Sequence, residues 1–264
     1  ARTSVQRTVP SSWRRRMSHD QLAWRKKFGV LAPSTNSIVE ADFNTMNVPG
    51  VTPLFSRIHI YDADLSSPAQ MEKLRVQLDE SIDYAVDLVC TAEVDYMVMG
   101  MSAATFWNGR DGAEKYLKMM TERAGVGVSC GSFATEAALN TYKVKRIAFM
   151  SLYFEVANEQ VKRFYQDCGF TVVRDICFHR PSPVQIAHTT DDMMRKAILE
   201  LNGDDVDAIV QVGTNMSMIR LAAAAELFLG KPVVAINTAT YWHALRACGI
   251  HDKKAGFGQL MEFH

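Results

Sequence analysis

The chain has 264 residues, 48% of them hydrophobic, with 29 basic and 29 acidic residues and a formal net charge of zero. That length allows a large core in one or two domains. The charge balance excludes nucleic acid and anionic membrane as partners drawn by global electrostatics, so a small molecule selected by local charge is expected.

The first 27 residues are basic, with Arg2, Arg7, Arg14, Arg15, Arg16, Arg25, Lys26 and Lys27 around Trp13 and Trp24. They read as a solvated N-terminal extension, 1–27, packed on a second subunit through the two tryptophans; the functional alternative is an arm for an anionic partner or a targeting remnant. From Phe28 onward strand and helix patterns alternate. Strands are predicted at 28–32, 96–99, 126–128, 146–150, 208–212 and 232–236, and helices at 69–91, 112–124, 132–142, 155–168, 191–201, 219–229 and 239–247. Apolar strands alternating with amphipathic helices predict an α/β fold of parallel sheets flanked by helices.

The pattern also repeats. Asp95-Tyr96-Met97-Val98-Met99-Gly100-Met101-Ser102 matches Asp207-Ala208-Ile209-Val210-Gln211-Val212-Gly213-Thr214 in kind: an acid, an apolar strand, a small hydroxylic loop. The stretch from Lys27 likewise parallels the stretch from Lys145. The repeat predicts two pseudo-symmetric lobes, 28–140 and 141–250, with the chain re-crossing near the end of the first and a tail at 251–264. Ligands bind beyond the carboxyl ends of strands in open α/β sheets, so the active site is expected in the cleft between the lobes.

Cys90, Cys130, Cys168, Cys177 and Cys248 are scattered, odd in number and without metal-ligand spacing. They predict neither a disulfide framework nor a metal site, and fit a reducing cytoplasm. No apolar run approaches the roughly 18 residues of a membrane span, and no signal-peptide core is expected near the start.

Four loops follow predicted strands: Pro33-Ser34-Thr35-Asn36-Ser37, Gly100-Met101-Ser102-Ala103-Ala104-Thr105, Ser151-Leu152-Tyr153-Phe154 and Gly213-Thr214-Asn215-Met216-Ser217. Hydroxyls and amides at strand-to-helix turns cap helices, and equally aim donors into a cleft where helix N-termini add positive potential. Four such loops in matching places make an anion site without Arg or Lys. No GxGxxG, P-loop or GxSxG pattern occurs, which disfavours nucleotide binding and the usual serine-hydrolase geometry.

The run from Val30 to Glu40 resembles the first strand and loop of maleate cis–trans isomerases. Arg146 to Asn158, with Tyr153 after the strand, resembles the middle of arylmalonate decarboxylases, as does Asp207 to Gly230 followed by Lys231 to Trp242. The ordered set, covering most of residues 28–250, resembles the aspartate/glutamate racemase superfamily in its maleate isomerase and arylmalonate decarboxylase branch. The resemblance implies an enzyme of two pseudo-symmetric lobes, working without cofactor and homo-oligomeric, on a small carboxylate or carbonyl substrate. Carried over by position, it implies Ser102, Tyr153 and Thr214 as catalytic, and Ser34, Thr35, Asn36, Met101, Gly213 and Asn215 as substrate-binding.

The sequence departs from that branch at its usual cysteines. The first slot falls at Met101, or Gly100 one residue earlier, and the second at Gly213. Neither a thioether nor a hydrogen replaces a thiol as acid, base or nucleophile. His243 and Cys130 are the candidate replacements, with His179 and His188 behind them; the alternatives are a helix-surface histidine and an inert buried thiol. The expected function is decarboxylation or carbon–carbon cleavage through an enediolate held by hydroxyl and backbone N–H donors. Alternatives are a hydrolase of an amide, lactone or cyclic imide with water in the space left by Gly213, a cis–trans isomerase by a non-cysteine route, and a non-catalytic carboxylate-binding protein. Met101 and Met216 suggest an apolar substrate wall, with ordinary core filling as the alternative, and Phe106 and Trp107 either a lid or aryl-binding wall or a core staple.

Overall fold

The computed structural model describes residues 20–60 and 67–264, apart from the side chains of residues 68, 71–77 and 79. Two four-stranded sheets carry the fold. The first holds β1 (Lys26–Pro33), β2 (Val51–Ile58), β3 (Tyr96–Met99) and β4 (Val128–Ser129) in the order β2-β1-β3-β4. The second holds β5 (Arg146–Ser151), β6 (Thr171–Cys177), β7 (Ala208–Val212) and β8 (Val233–Ala235) in the order β6-β5-β7-β8. All neighbours are parallel, and the two orders are identical when counted within each half. Parallel strands are covered on both faces, which is why β5 is apolar from Ile147 to Met150 and β7 is buried throughout, Gln211 included.

The repeated acids have a structural job. Asp95 accepts the Lys27 N–H at 2.7 Å while its own N–H donates to the Lys27 carbonyl. Asp207 does the same in the second half, accepting from Lys145 and Arg146 N–H at 3.1 and 2.8 Å. Each acid therefore pins the start of its lobe's central strand pair. Asp207 also pairs with the Arg146 side chain, and that bond holds its carboxyl down at about 2.

The helices are α1 (Val39–Met46), α2 (Pro68–Cys90), α3 (Gly109–Ala124), α4 (Gly131–Tyr142), α5 (Glu155–Asp167), α6 (Asp191–Leu201), α7 (Ile219–Leu229), α8 (Ile236–Ala247) and α9 (Gln259–Phe263). The lobes exchange helices: α4 leaves the first half and packs on β7 and β8, while α8 leaves the second half and packs on β3 and β4. The two meet at their first turns, where a side chain on Gly131 would lie 2.5 Å from Ile236 Cδ1. One core consequently runs through both sheets, joining Phe28 and Val30 to Phe149 and Val210.

The tail closes the same seam. Tyr241 Oη on α8 donates to Asn47 Oδ1 at 2.6 Å, Lys254 donates to the Thr45 and Asn47 carbonyls, and Asp252 pairs with Arg25 at 2.7 Å. Arg25 and the start of β1 therefore belong to the fold; Trp13 and the basic residues up to Arg16 lie outside the described residues.

Sequence reading located the buried strands and missed β2, β6, α1 and the short α9. Both missed strands are sheet edges carrying Thr52, Ser56 and Arg57, or Arg174 and Asp175, so they lack an apolar run. Pro53 sits in β2, where an edge tolerates a missing donor. Phe106 resolves as a staple: it is buried, with its ring 5.2 Å from Phe164 and 5.8 Å from Tyr165. Among the described residues no helix is long and apolar enough to cross a membrane. We expect Tyr241→Phe to lose about 1 kcal/mol of stability in urea denaturation, the worth of one hydrogen bond across the seam.

Candidate active site

The loops after β1, β3, β5 and β7 converge on a cavity of about 100 Å³. Its polar wall comes from Thr35, Asn36, Ser102, Tyr153, Thr214 and Asn215, so each of the four predicted loops contributes. Its apolar wall includes Ile60, Leu78, Met101, Leu152, Phe154 and Ile186.

Hydrogen bonds between the lobes organise the polar side. Ser102 Oγ and Tyr153 Oη lie 2.7 Å apart, buried, one from each sheet. Thr214 Oγ accepts from Asn36 Nδ2 at 3.1 Å and donates its single proton to the Gly100 carbonyl at 2.9 Å. That proton is committed, so the Thr214 hydroxyl serves as a clasp between the lobes, not as a free donor. Asn215 Oδ1 accepts from Ser37 N–H at 3.1 Å and its amide donates to the Pro183 carbonyl at 3.0 Å. Asn36 Oδ1 accepts from Ile38 and Val39 N–H at 2.9 and 3.0 Å, fixing the start of α1. Behind the loop, Arg57 donates to the Asn36 carbonyl at 2.9 Å.

The Ser102–Tyr153 pair differs from this lattice. Two hydroxyls sharing one bond leave one proton to offer a ligand. Burial raises the Tyr153 phenol well above its ordinary value, so it is a neutral donor at physiological pH. The backbone N–H groups of Met101, Ser102, Thr214 and Asn215 have no acceptor among the described residues, which leaves them free for an anion. The turn carrying Tyr153 is held from below, where Ser151 Oγ accepts the Tyr153 N–H at 3.2 Å and donates to Asn158 at 2.6 Å.

Several expected residues lie elsewhere. Ser34 is exposed and bonded both ways to the Ile60 backbone at 3.1 Å, a loop brace away from the cavity wall. Cys130 is buried in the first lobe's core beside Ser132, and burial pushes its thiol up, which corrects its reading as an activated thiol. His243 Nδ1 sits 2.6 Å from Ser129 Oγ, which in turn lies 3.1 Å from Tyr96 Oη, and burial lowers its basicity; it is away from the cavity wall. His179 pairs with Glu155 and stacks on Phe154, whose ring lines the cavity. His188 is exposed, and Met216 is buried in the core, so Met101 alone of the two methionines meets the cavity.

The space beside the Gly213 Cα is already filled. The Gly213 φ is +122°, and a Cβ built there would fall 2.0 Å from Leu152 Cδ2. Leu152, just after the neighbouring strand, fills the space a side chain at 213 would take, so the water expected in the space beside Gly213 has no room there. All five cysteines are described and none lines the cavity. Among the described lining residues there is no Asp, Glu, Lys, Arg or His either.

One carboxylate stands directly behind the site, unforeseen because a lone acid in a helical stretch carries no sequence signal. Asp42 on α1 is only 5% exposed and accepts from Asn237 Nδ2 at 2.7 Å; the same amide donates to the Thr214 carbonyl at 3.0 Å. Burial raises the Asp42 carboxyl from 3.8 to about 6, with the Asn237 bond opposing it. Because the folded value is the higher one, its contribution to stability is complete below the unfolded value and lost as pH rises through the folded one. We expect Asp42→Asn to gain stability relative to the wild type between pH 4 and 7, on the order of 3 kcal/mol in all, read by urea denaturation across that window. We also expect Gly213→Cys to destabilise by about 1–3 kcal/mol through overpacking, with part of that loss recovered when Leu152→Ala is added.

Comparison with known proteins agrees with this architecture. A family model described as arylmalonate decarboxylase matches residues 70–261. A maleate isomerase of Pseudomonas putida is 24% identical over 242 residues, covering 89% of this chain and 96% of the relative. Among solved structures, the maleate cis–trans isomerase of Nocardia farcinica, in a variant with a covalently bound succinylcysteine intermediate, superposes with a TM-score of 0.81 at 18% identity over 90% of this chain and 99% of its own. An arylmalonate decarboxylase variant in liganded form gives 0.74 at 18% identity, covering 90% and 100%.

Proposed function

The chain belongs to the arylmalonate decarboxylase family, and from that premise we propose that it is a thiol-free decarboxylase of small substituted malonates. The observation that carries the reading is the buried Ser102–Tyr153 hydroxyl pair, 2.7 Å apart across the seam, beside a cavity that none of the five cysteines lines. A route through a succinylcysteine adduct, as in the Nocardia farcinica isomerase, needs a nucleophilic thiol. Decarboxylation needs none. It requires a place for the carboxylate that stays, an apolar place for the one that leaves, and a proton.

The free N–H groups of Met101, Ser102, Thr214 and Asn215 take the retained carboxylate, which leaves the spare hydroxyl proton of the Ser102–Tyr153 pair for the α-carbon. Ile60, Leu78, Leu152 and Ile186 surround the leaving carboxylate with hydrocarbon. A desolvated carboxylate loses the hydration that stabilises its localised charge, which favours the delocalised transition state. The carbon–carbon bond breaks, carbon dioxide departs, and the bonding electrons pass into the retained carboxylate as an enediolate. Donors already in place stabilise that charge as it develops. The α-carbon then takes a proton from the hydroxyl pair, which solvent restores. Tyr153 suits this step because burial keeps its phenol protonated, while the enediolate carbon is a far stronger base than a phenolate.

The test is phenylmalonate in heavy water, followed by proton NMR. We expect phenylacetate with one deuterium at the α-carbon. Tyr153→Phe should lower kcat by about 10²–10⁴-fold, as loss of a general acid does, with Ser102→Ala lowering it by a smaller factor. Conversion of maleate to fumarate with no release of carbon dioxide from phenylmalonate would contradict the reading.

A further inference from the structure

Asp42 and Asn237 together present two features that cost stability at one point. A carboxylate almost out of water has one described side-chain partner, and that partner's own Oδ1 is buried without a hydrogen bond. An apolar residue of similar size would avoid both penalties. Neither group is needed to close the fold at this seam, which Tyr241, Lys254 and the Arg25–Asp252 pair already close. What the pair reaches is the site. Asn237 begins the helix exchanged from the second lobe onto the first, and its amide has only two protons. One goes to Asp42 on α1 and the other to the Thr214 carbonyl. The orientation of that amide is set by its surroundings, since the Thr214 carbonyl can only accept.

We propose that Asp42 is a positioning residue which, through the Asn237 amide, fixes the Thr214 loop against the cavity. The carboxylate anchors one N–H of Asn237, and with the amide plane fixed, the other N–H holds the Thr214 carbonyl in one place. The Thr214 hydroxyl is then left in line for Asn36 and Gly100, and the free N–H groups of Thr214 and Asn215 keep one direction. Burial penalises the Asp42 charge, as its raised carboxyl value shows, and a neutral acceptor in the same place would do the same work. The requirement is for an acceptor, not for a charge. The proposal deepens the decarboxylase reading in assigning the loop a role in the reaction, but the loop's order is measurable without turnover.

The experiment is amide hydrogen exchange of the full chain without ligand, in the wild type, Asp42→Ala, Asp42→Asn, Asn237→Ala and the Asp42→Ala/Asn237→Ala double variant. The reporter is the Met216 amide, which is protected by its bond to the Gly213 carbonyl at 3.3 Å. We expect exchange at Met216 to speed by about tenfold or more in each alanine variant, and no further in the double variant, because both act through one link. Asp42→Asn should stay within about threefold of the wild type, which separates an acceptor role from general loosening. Unchanged protection in a folded Asp42→Ala, or additive effects in the double variant, would overturn the proposal. If Asp42→Ala fails to fold, Asn237→Ala decides alone: protection at Met216 must fall there, and its persistence overturns the proposal. Phenylmalonate kinetics run alongside should show kcat falling with KM little changed. An inactive wild type would count against the decarboxylase reading and leave the exchange result to decide this one.

Discussion

The Thr214 hydroxyl joins three strand ends from two sheets. It takes a proton from Asn36 after β1 and gives its own to the Gly100 carbonyl after β3, while its backbone continues β7. Each lobe could form its sheet without this contact, but the cavity exists only while the strand ends face each other in one register. The contact is buried, so its strength is not diluted by solvent, and loss of either partner would leave an unpaired polar group. The exchange of α4 and α8 serves the same end from further away: each lobe's sheet is covered by a helix from the other half, so the lobes cannot slide without exposing core.

The position of the chemistry follows from that constraint. Two sheets of identical order, related by a pseudo-twofold, present equivalent loops to one another, and equivalent positions acquire complementary parts. Ser102 and Tyr153 make a hydroxyl pair that neither lobe could make alone. Beside Gly213, the Leu152 side chain from the neighbouring strand end occupies the volume that a side chain at 213 would need. On the proposed reading, the substrate carbon faces hydrocarbon on that side and draws its proton from the hydroxyl pair.

Much of this was legible in the sequence. The acid–strand–hydroxyl repeat at Asp95 and Asp207 revealed the two lobes, and the four loops it defined meet at one cavity. What failed to show in the sequence has a physical reason in each instance. The edge strands β2 and β6 carry charged and polar residues among their apolar ones, so they lack the mostly apolar signature of the central strands. Ser34 and Ser102 are alike as residue types at strand ends; only the distance to Ile60 or to Tyr153 separates a loop brace from a member of the hydroxyl pair at the cavity. Nothing local in the loop Ser151-Leu152-Tyr153-Phe154 says that the Leu152 side chain crosses to the place beside Gly213. Asp42 and Asn237 are 195 residues apart in the chain, and their pairing depends on a helix exchanged between lobes.

The central claim is that this cavity decarboxylates without a thiol. The most direct measurement is the rate of carbon dioxide release from phenylmalonate by the wild type and by five variants in which Cys90, Cys130, Cys168, Cys177 and Cys248 are each replaced by alanine. The account predicts release by all six proteins at rates within about threefold of one another, since no cysteine touches the cavity. Loss of release on removing any one thiol from a protein that remains folded would contradict it.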